Sequence, residues 1–405
     1  MSVSALKPLA FSHFTATSAL GKGLAPHLEA LTEQRSGLTP CTFETVDLPT
    51  FVGEVHGLQD VRMRPDLSDY DCRNNRLAQA GLEQDTLLPA VKKAIARYGA
   101  ERIGVFIGTS TSGILETELA YRQRDPLTGA LPSGYQYAKT QNTFSVASFT
   151  RAYLGLKGPA AAISSACSSS AKVFGTARRM IAAGLIDAAV VGGVDTLCLT
   201  TLYGFNSLNL LSTRACRPFD IERDGISIGE AAAFGLLQKA DEALDNDTVL
   251  LLGVGESSDA YHMSSPHPEG LGARMAMSAA LEMAALQPGQ IDYINLHGTA
   301  TPSNDAAEAK AVSAIWGKTT PPCSSTKGAT GHTLGAAGGI EAVFSALSLQ
   351  HDLLPGGINT ERLDPALEVA YLLKTRNAPV TRVMSNSFGF GGTNCSLIFG
   401  KISSL

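Results

Sequence analysis

The run Ala161-Ala-Ile-Ser-Ser-Ala-Cys-Ser-Ser-Ser-Ala171 constrains the fold of this chain more than any other stretch. A short apolar approach of strand character stops at a thiol, Cys167, and a helical stretch over 169–183 then opens on Ser and Ala. Side chains that small let a helix lie deep against neighbouring backbone, so the residue at its N-terminus belongs at the centre of the molecule. The bland alternative is a core helix with an incidental buried cysteine. A helix N-terminus carries partial positive charge and unpaired N–H groups, which lower a cysteine pKa from ~8.5 towards neutrality. The expectation is therefore a thiolate nucleophile, suited to attack on a thioester whose leaving thiolate has comparable basicity.

The same rhythm of β-like run, turn and helix recurs along the chain. Runs at 102–108, 160–164 and 187–193 form a first series, and 248–255, 291–296, 381–385 and 396–399 a second. Helices are expected at 169–183, 274–285, 305–315 and 338–349. This is the pattern of an α/β protein with strands buried on both faces. The polar segment 241–247 is the best junction between an N-terminal half, 1–245, and a C-terminal half, 246–405, although the halves show no recognisable repeat in sequence.

A chain of 405 residues with 44% hydrophobic and only 17% charged residues fills a substantial core, which excludes a disordered or fibrous protein. The formal charge of −5 provides no global basic field for nucleic acid or an anionic membrane. Seven cysteines, an odd number without a Cys-x-x-Cys pair, suggest neither a disulfide framework nor a metal, and fit a reducing cytoplasm. No stretch reads as a secretion signal or reaches the roughly 18 apolar residues of a membrane helix.

Two histidines supply partners for the thiol. His297 ends an apolar run and enters Gly298-Thr-Ala-Thr-Pro302, and strand ends are where α/β proteins place their sites. His332 lies between Gly331 and Thr333, ahead of a helix that also opens on Gly and Ala. A lone histidine is more often a satisfied core residue, but two in small-residue loops favour function.

The segments Ser164-Ser-Ala-Cys-Ser-Ser-Ser170, His297-Gly-Thr-Ala-Thr-Pro302 and Lys327-Gly-Ala-Thr-Gly-His332 resemble those of β-ketoacyl-acyl-carrier-protein synthases, and Ser385-Asn-Ser-Phe-Gly-Phe-Gly-Gly-Thr-Asn394 strengthens the match. The two-histidine pattern is similar to elongating synthases, as opposed to initiating ones, which pair a histidine with an asparagine. The resemblance implies a thiolase-like duplicated α/β fold, layered α-β-α-β-α, with two mixed sheets around a buried central helix. It implies that Cys167 takes an acyl group from the phosphopantetheine arm of acyl carrier protein, with no other cofactor and no metal. His297 and His332 would hold the enolate formed when malonyl-carrier protein loses carbon dioxide. Backbone N–H groups of Cys167 and Phe390 match the oxyanion hole. Lys327 and Glu308 match the basic and acidic members of the same network, expected as a buried ion pair that orients the histidines. Thr299 and Thr301 look like the pantetheine-binding hydroxyls, Phe390 with Phe388 like the gate of the acyl pocket, and the segment from Asp259 to Ser265 like the facing loop. Tyr137 is a further pocket candidate.

The first hundred residues fit less well, and the segment 212–220 is closer to polyketide-type ketosynthases. A specialised type II polyketide or polyene pathway, with a partner subunit, is therefore the alternative to fatty acid synthesis. A cysteine hydrolase would not need a second histidine or Lys327. A thiolase would need a second cysteine, and Cys395 falls outside the expected loop order, so it is read as structural together with Cys41, Cys72, Cys198, Cys216 and Cys323. The resemblance also implies a homodimer with residues 137–144 of the partner near the pocket, or a heterodimer with a related subunit. Arg62, Arg64, Arg122 and Arg124 are candidates for a basic landing area for the carrier.

Overall fold

The computed structural model describes residues 7–240 and 248–404, so the expected junction at 241–247 lies outside the described residues. Ten strands form its spine: β1 (Leu9–Ser18), β2 (Ile103–Gly108), β3 (Ala160–Ile163), β4 (Ala188–Asp195), β5 (Ala231–Lys239), β6 (Val249–Ser258), β7 (Tyr293–Asn295), β8 (Cys323–Ser324), β9 (Arg382–Gly389) and β10 (Thr393–Lys401). Hydrogen bonding orders them β8-β7-β9-β10-β6-β1-β5-β4-β2-β3, with the short strand Gly21–Lys22 beside β1.

This order contains a repeat. Within β1–β5 and within β6–β10 the spatial sequence is third, second, fourth, fifth, first. In each set the first, fifth and fourth strands run antiparallel in turn, and the fourth, second and third run parallel. The duplication that the amino-acid sequence conceals is thus explicit in the topology. The two mixed sheets join through their first strands, where Leu9, Ala10 and Phe11 pair with Leu251, Leu250 and Val249.

The alternation of side chains along each strand assigns the layers. Val105, Ile107, Val190, Phe234 and Leu236 face outward onto helices α1 (Arg73–Leu82), α2 (Leu87–Tyr98) and α3 (Ser145–Tyr153). Phe106, Ala189, Val191, Ala233 and Leu237 face inward onto α4 (Ser169–Ala182). On the other sheet Leu250, Leu252, Ile294, Met384 and Ile398 cover α5 (Leu271–Ala284) and α6 (Pro302–Trp316), while Leu251, Tyr293, Val383 and Leu397 face the centre. The central layer is α4 with α7 (Ala337–His351), whose residues 337–349 are all buried.

Small residues permit that layer. A Cβ on Gly108 would stand 2.3 Å from the Ser170 backbone nitrogen, and one on Gly338 would stand 2.6 Å from that of Ala171. Strand and helices therefore meet backbone to backbone, which places the heads of α4 and α7 side by side. The Ser170 hydroxyl fastens them by accepting the Gly339 N–H at 2.8 Å.

Candidate active site

Cys167 sits on a tight turn between β3 and α4. Ala166 adopts φ 52°, left-handed backbone that a residue with a Cβ enters only under constraint. The surrounding hydroxyls supply the constraint: Ser169 accepts the Ser165 N–H at 2.8 Å, and both Ser168 and Thr393 donate to the Ser165 carbonyl at 3.0 Å. The serines around the thiol thus hold its turn. Backbone N–H groups of Phe390 and of Cys167 itself lie on the side of the Sγ atom and favour its ionised form. They are the two donors that the resemblance assigned to an oxyanion hole.

The thiolate expected from the helix terminus is not what this environment favours. Burial pushes the Cys167 thiol up to about 11, outweighing the Lys327 charge and the two backbone donors. Cys167 precedes the helix by two residues, and only 5% of it is exposed, so lost hydration outweighs the helix dipole. The resting Cys167 side chain is a thiol.

Both histidines converge on it. The His332 Nε2 lies 3.1 Å from the Cys167 Sγ, the two imidazole rings stand 5.4 Å apart and nearly perpendicular, and one ligating atom from each of the three residues lies within 4.8 Å of the others. The backbone of His332 is held by Ser227 and Gly229, through a 2.7 Å bond to the Ser227 carbonyl and a 3.0 Å bond from the Gly229 N–H. Burial and the Lys327 charge drive both imidazoles well below their ordinary pKa, so both are neutral.

Their tautomers follow from what faces the other nitrogen. The Leu334 backbone N–H donates to His332 Nδ1 at 3.2 Å, and the Lys327 ammonium lies 3.3 Å from His297 Nδ1. Each Nδ1 is an acceptor, so each Nε2 carries the proton and presents it to the cleft. The same fact argues against a metal. A ligating histidine donates its second N–H to an acceptor, whereas both second nitrogens here face donors.

Lys327 and Glu308 do not form the expected ion pair. The Lys327 ammonium binds Glu341, a residue of α7 not anticipated from the motifs, and both side chains are almost fully buried. Glu308 instead accepts the backbone N–H groups of His297 and Gly298, each at 2.8 Å, and the Asn386 amide at 3.2 Å. Its role is to shape the loop that carries His297. Burial pushes both carboxyls up to about 7, against Lys327 at Glu341 and against the three donors at Glu308. Glu341 had a visible signal, as the single acidic residue of α7 and flanked by Ile340 and Ala342, but no motif drew attention to it.

A cleft of about 570 Å³, counting the space open to solvent at its mouth, leads to these groups. Thr299 and Thr301 line it, with their hydroxyls 2.9 Å apart. Phe388 packs its ring 5.9 Å from His297, and Phe390 lies 5.6 Å from Phe205, a wall residue not foreseen. The facing segment is latched to the loop that carries Phe390: Asp259 accepts from the Asn394 amide at 2.7 Å, and the Gly391 N–H donates to the Met263 carbonyl at 2.7 Å. Tyr137, expected at the pocket, is 57% exposed and is not part of the cleft wall. It belongs to a surface segment that the protomer leaves uncovered. Of the four arginines, Arg64 is tied to Asp66 and the Tyr153 carbonyl and Arg122 to Thr45, while Arg62 and Arg124 are exposed.

Fold and site together define a thiol-acylating condensing enzyme of duplicated α/β architecture. Residues 15–243 match the N-terminal domain and 249–361 the C-terminal domain of β-ketoacyl synthases, and the chain belongs to that family. Relatives include the 3-oxoacyl-[acyl-carrier-protein] synthase 2 proteins of Synechocystis sp. (34% identical; 95% of this chain, 96% of the relative) and Vibrio harveyi (33%; 95% and 96%). Among solved structures, a ketosynthase in complex with its chain length factor from Xenorhabdus doucetiae is 40% identical, with a TM-score of 0.87 over 99% of this chain and 100% of that one. The ishigamide ketosynthase/chain length factor is 25% identical, with a TM-score of 0.89 over 98% and 100%. The chain is an elongating ketosynthase, an acyltransferase that joins an acyl thioester to a malonyl unit with loss of carbon dioxide. No helix among the described residues is long and apolar enough to cross a membrane.

Proposed function

We propose that Cys167 carries the growing acyl chain and that the two Nε2–H groups of His297 and His332 stabilise the malonyl-derived enolate. The observation that carries this reading is the paired tautomer: both imidazoles are neutral, both carry the proton on Nε2, and both rings line the cleft beside the thiol. In the first step the Cys167 sulfur attacks the incoming thioester, and the proton it loses leaves with the phosphopantetheine thiol. One thioester replaces another, so no net charge is created in the buried site. In the second step the bond between the malonyl carboxylate and its methylene breaks, carbon dioxide departs, and the electron pair moves to the thioester oxygen. That oxyanion lies between the two Nε2–H donors, in a water-poor cleft where such donors act most strongly. The methylene carbon attacks the acyl carbonyl, whose oxygen turns to the N–H groups of Cys167 and Phe390. Collapse expels the Cys167 thiolate, which takes a proton from solvent.

The acyl and malonyl groups arrive on the phosphopantetheine arm of an acidic carrier protein, and the chain needs no further cofactor or metal. The arm passes Thr299 and Thr301. Arg62 and Arg124 meet the carrier, since Arg64 and Arg122 are engaged within the protomer. The halves 1–245 and 246–405 act as one unit in the cytoplasm, the first supplying the thiol and the second both histidines.

A specialised pathway is the second reading, favoured by one observation. Over nearly the whole chain, identity is 40% to the ketosynthase solved with its chain length factor and 33–34% to the Vibrio harveyi and Synechocystis 3-oxoacyl synthases. The partner is then a related ketosynthase-like subunit, and otherwise a second copy of this chain. Strand β3 is the surface for either, because it ends the sheet and its four apolar residues are half-buried. Purified protein offered a panel of acyl-carrier proteins, alone and with a candidate partner subunit, tests the substrate by mass spectrometry. Preferential loading of polyunsaturated acyl groups supports the specialised reading, and preference for saturated chains supports fatty acid synthesis.

A further inference from the structure

The five-residue stretch from His332 to Ala336 is held in an unfavourable shape, closed within itself only by the Ala336 N–H on the Thr333 carbonyl at 3.0 Å and by a contact to His332. Leu334 adopts φ 52°, left-handed backbone for a bulky side chain, and in that shape its N–H reaches His332 Nδ1 at 3.2 Å. That contact sets which imidazole nitrogen carries the proton. The stretch needs an anchor, and one lies directly beneath it. The Asp195 carboxylate, fully buried at the end of β4, accepts the Ala336 N–H at 3.1 Å. Contact is so close that a Cβ on Gly335 would stand 2.8 Å from Asp195 Oδ2 and 2.8 Å from the Ser110 nitrogen.

Asp195 is itself immobilised. It accepts the backbone N–H groups of Ser110 and Thr111, each at 2.8 Å, and the hydroxyls of Thr109 at 2.8 Å and Thr111 at 2.7 Å. Four donors from one turn of the N-terminal half thus orient a carboxylate whose further contact is to the turn carrying the His332 tautomer lock. A carboxylate buried for stability is ordinarily paired with a cation, whereas these donors to Asp195 are backbone N–H groups and hydroxyls.

We propose that Asp195 is a positioning residue that acts through Ala336 and Leu334 to keep His332 in its Nε2-protonated form, coupling the N-terminal half to the enolate site of the C-terminal half. This rests on the reading of His332 as an enolate donor. Asp195→Asn keeps the side-chain shape but turns one accepting oxygen into a donor, which opposes an N–H group in either amide orientation. The turn then loosens, Leu334 relaxes from its left-handed shape, and His332 samples the other tautomer.

The test compares wild type, Asp195→Asn and Thr111→Val in three measurements: malonyl-carrier decarboxylation, acyl loading of Cys167, and the ¹⁵N signals of His332 in histidine-labelled protein. Asp195→Asn is expected to lower kcat for decarboxylation by about tenfold or more with KM little changed, because one oxyanion donor is misdirected. Loading should persist, and the His332 signal should shift towards the Nδ1-protonated form. Thr111→Val, which removes one donor and leaves the acid, should move both readouts the same way by a smaller amount. Equal losses in loading and decarboxylation, or an unchanged His332 tautomer, would overturn the proposal. Should Asp195→Asn not fold, an unaltered Thr111→Val enzyme would overturn it equally. A wild-type enzyme that loads Cys167 but does not decarboxylate would refute the His332 reading itself, and the inference with it.

Discussion

Glu341 and Lys327 are sealed together behind His297, and breaking such a pair leaves one charge buried without its partner. Glu341→Ala should therefore destabilise the protein by about 3–5 kcal/mol, measured by urea unfolding at pH 8, where the carboxylate is ionised. A loss under about 1 kcal/mol would mean that the ion pair is not formed. At the reacting atoms, Cys167→Ala should abolish acyl loading and leave malonyl decarboxylation measurable, while His332→Ala should load acyl groups and fail to decarboxylate. Assays of both half-reactions on both variants check this crossed pattern. Cys167, His297, His332 and Lys327 were legible because each lies in a run of small residues whose order matches a known motif. Glu341 was not, since it lies in no motif, nor was Asp195, whose partner Ala336 is 141 positions away. The protonation of Cys167 was also hidden. A helix terminus can be read from residue types, whereas the depth of burial that overrides it depends on everything packed around it.

The elements that bear the site depend on close backbone contact. Gly338→Val would drive a branched side chain into Ala171, separating α4 from α7, and should cost about 3 kcal/mol or more together with most of the activity, as read by urea unfolding and a condensation assay. His27, on the helix Leu24–Glu33, offers a second test. Its ring packs 5.9 Å from Phe344 of α7, donates from Nδ1 to the Gly23 carbonyl and accepts the Ser18 hydroxyl at Nε2, leaving no place for a second proton. Burial lowers its pKa from 6.5 to about 4. The unfolded chain thus binds more protons between those values, so the stability contributed by neutral His27 is complete above pH 6.5 and is lost as pH falls towards 4. His27→Gln should flatten the pH dependence by about 1.4 kcal/mol per pH unit within that window, measured by urea unfolding from pH 4.5 to 7.5. An unchanged slope would show that the ring titrates normally. Strands β2 and β4 were readable because their continuous apolar runs sit between glycines. β5 was not, because Ala231-Ala-Ala-Phe-Gly-Leu-Leu carries too little β-branching to signal a strand and becomes one only through burial on both faces.

At the scale of the molecule, the duplicated five-strand order puts the thiol in one half and the histidines in the other, so neither half holds a complete site. The repeat was illegible in sequence because the halves share strand order and direction, which many residue combinations satisfy. Among the described residues, β3 ends the main sheet with one edge unpaired. Pro159 and Ile163 direct their carbonyls at β2, so by strand alternation Ala160 and Ala162 direct their backbone groups outward. Ala162→Pro removes an outward N–H and should convert a dimer into monomer, read by light scattering on a variant whose circular dichroism is unchanged. A dimer that persists would move the interface elsewhere. The central claim concerns the path of the acyl group from carrier to Cys167 to a longer product. Its most direct test is mass spectrometry of the enzyme given an acyl-carrier protein, followed by malonyl-carrier protein, with the modified peptide mapped. The account predicts an acyl adduct on Cys167 that disappears as a carrier-bound product two carbons longer, bearing a β-keto group, is formed. An adduct on any other residue, or release of free acid without the longer product, would contradict it.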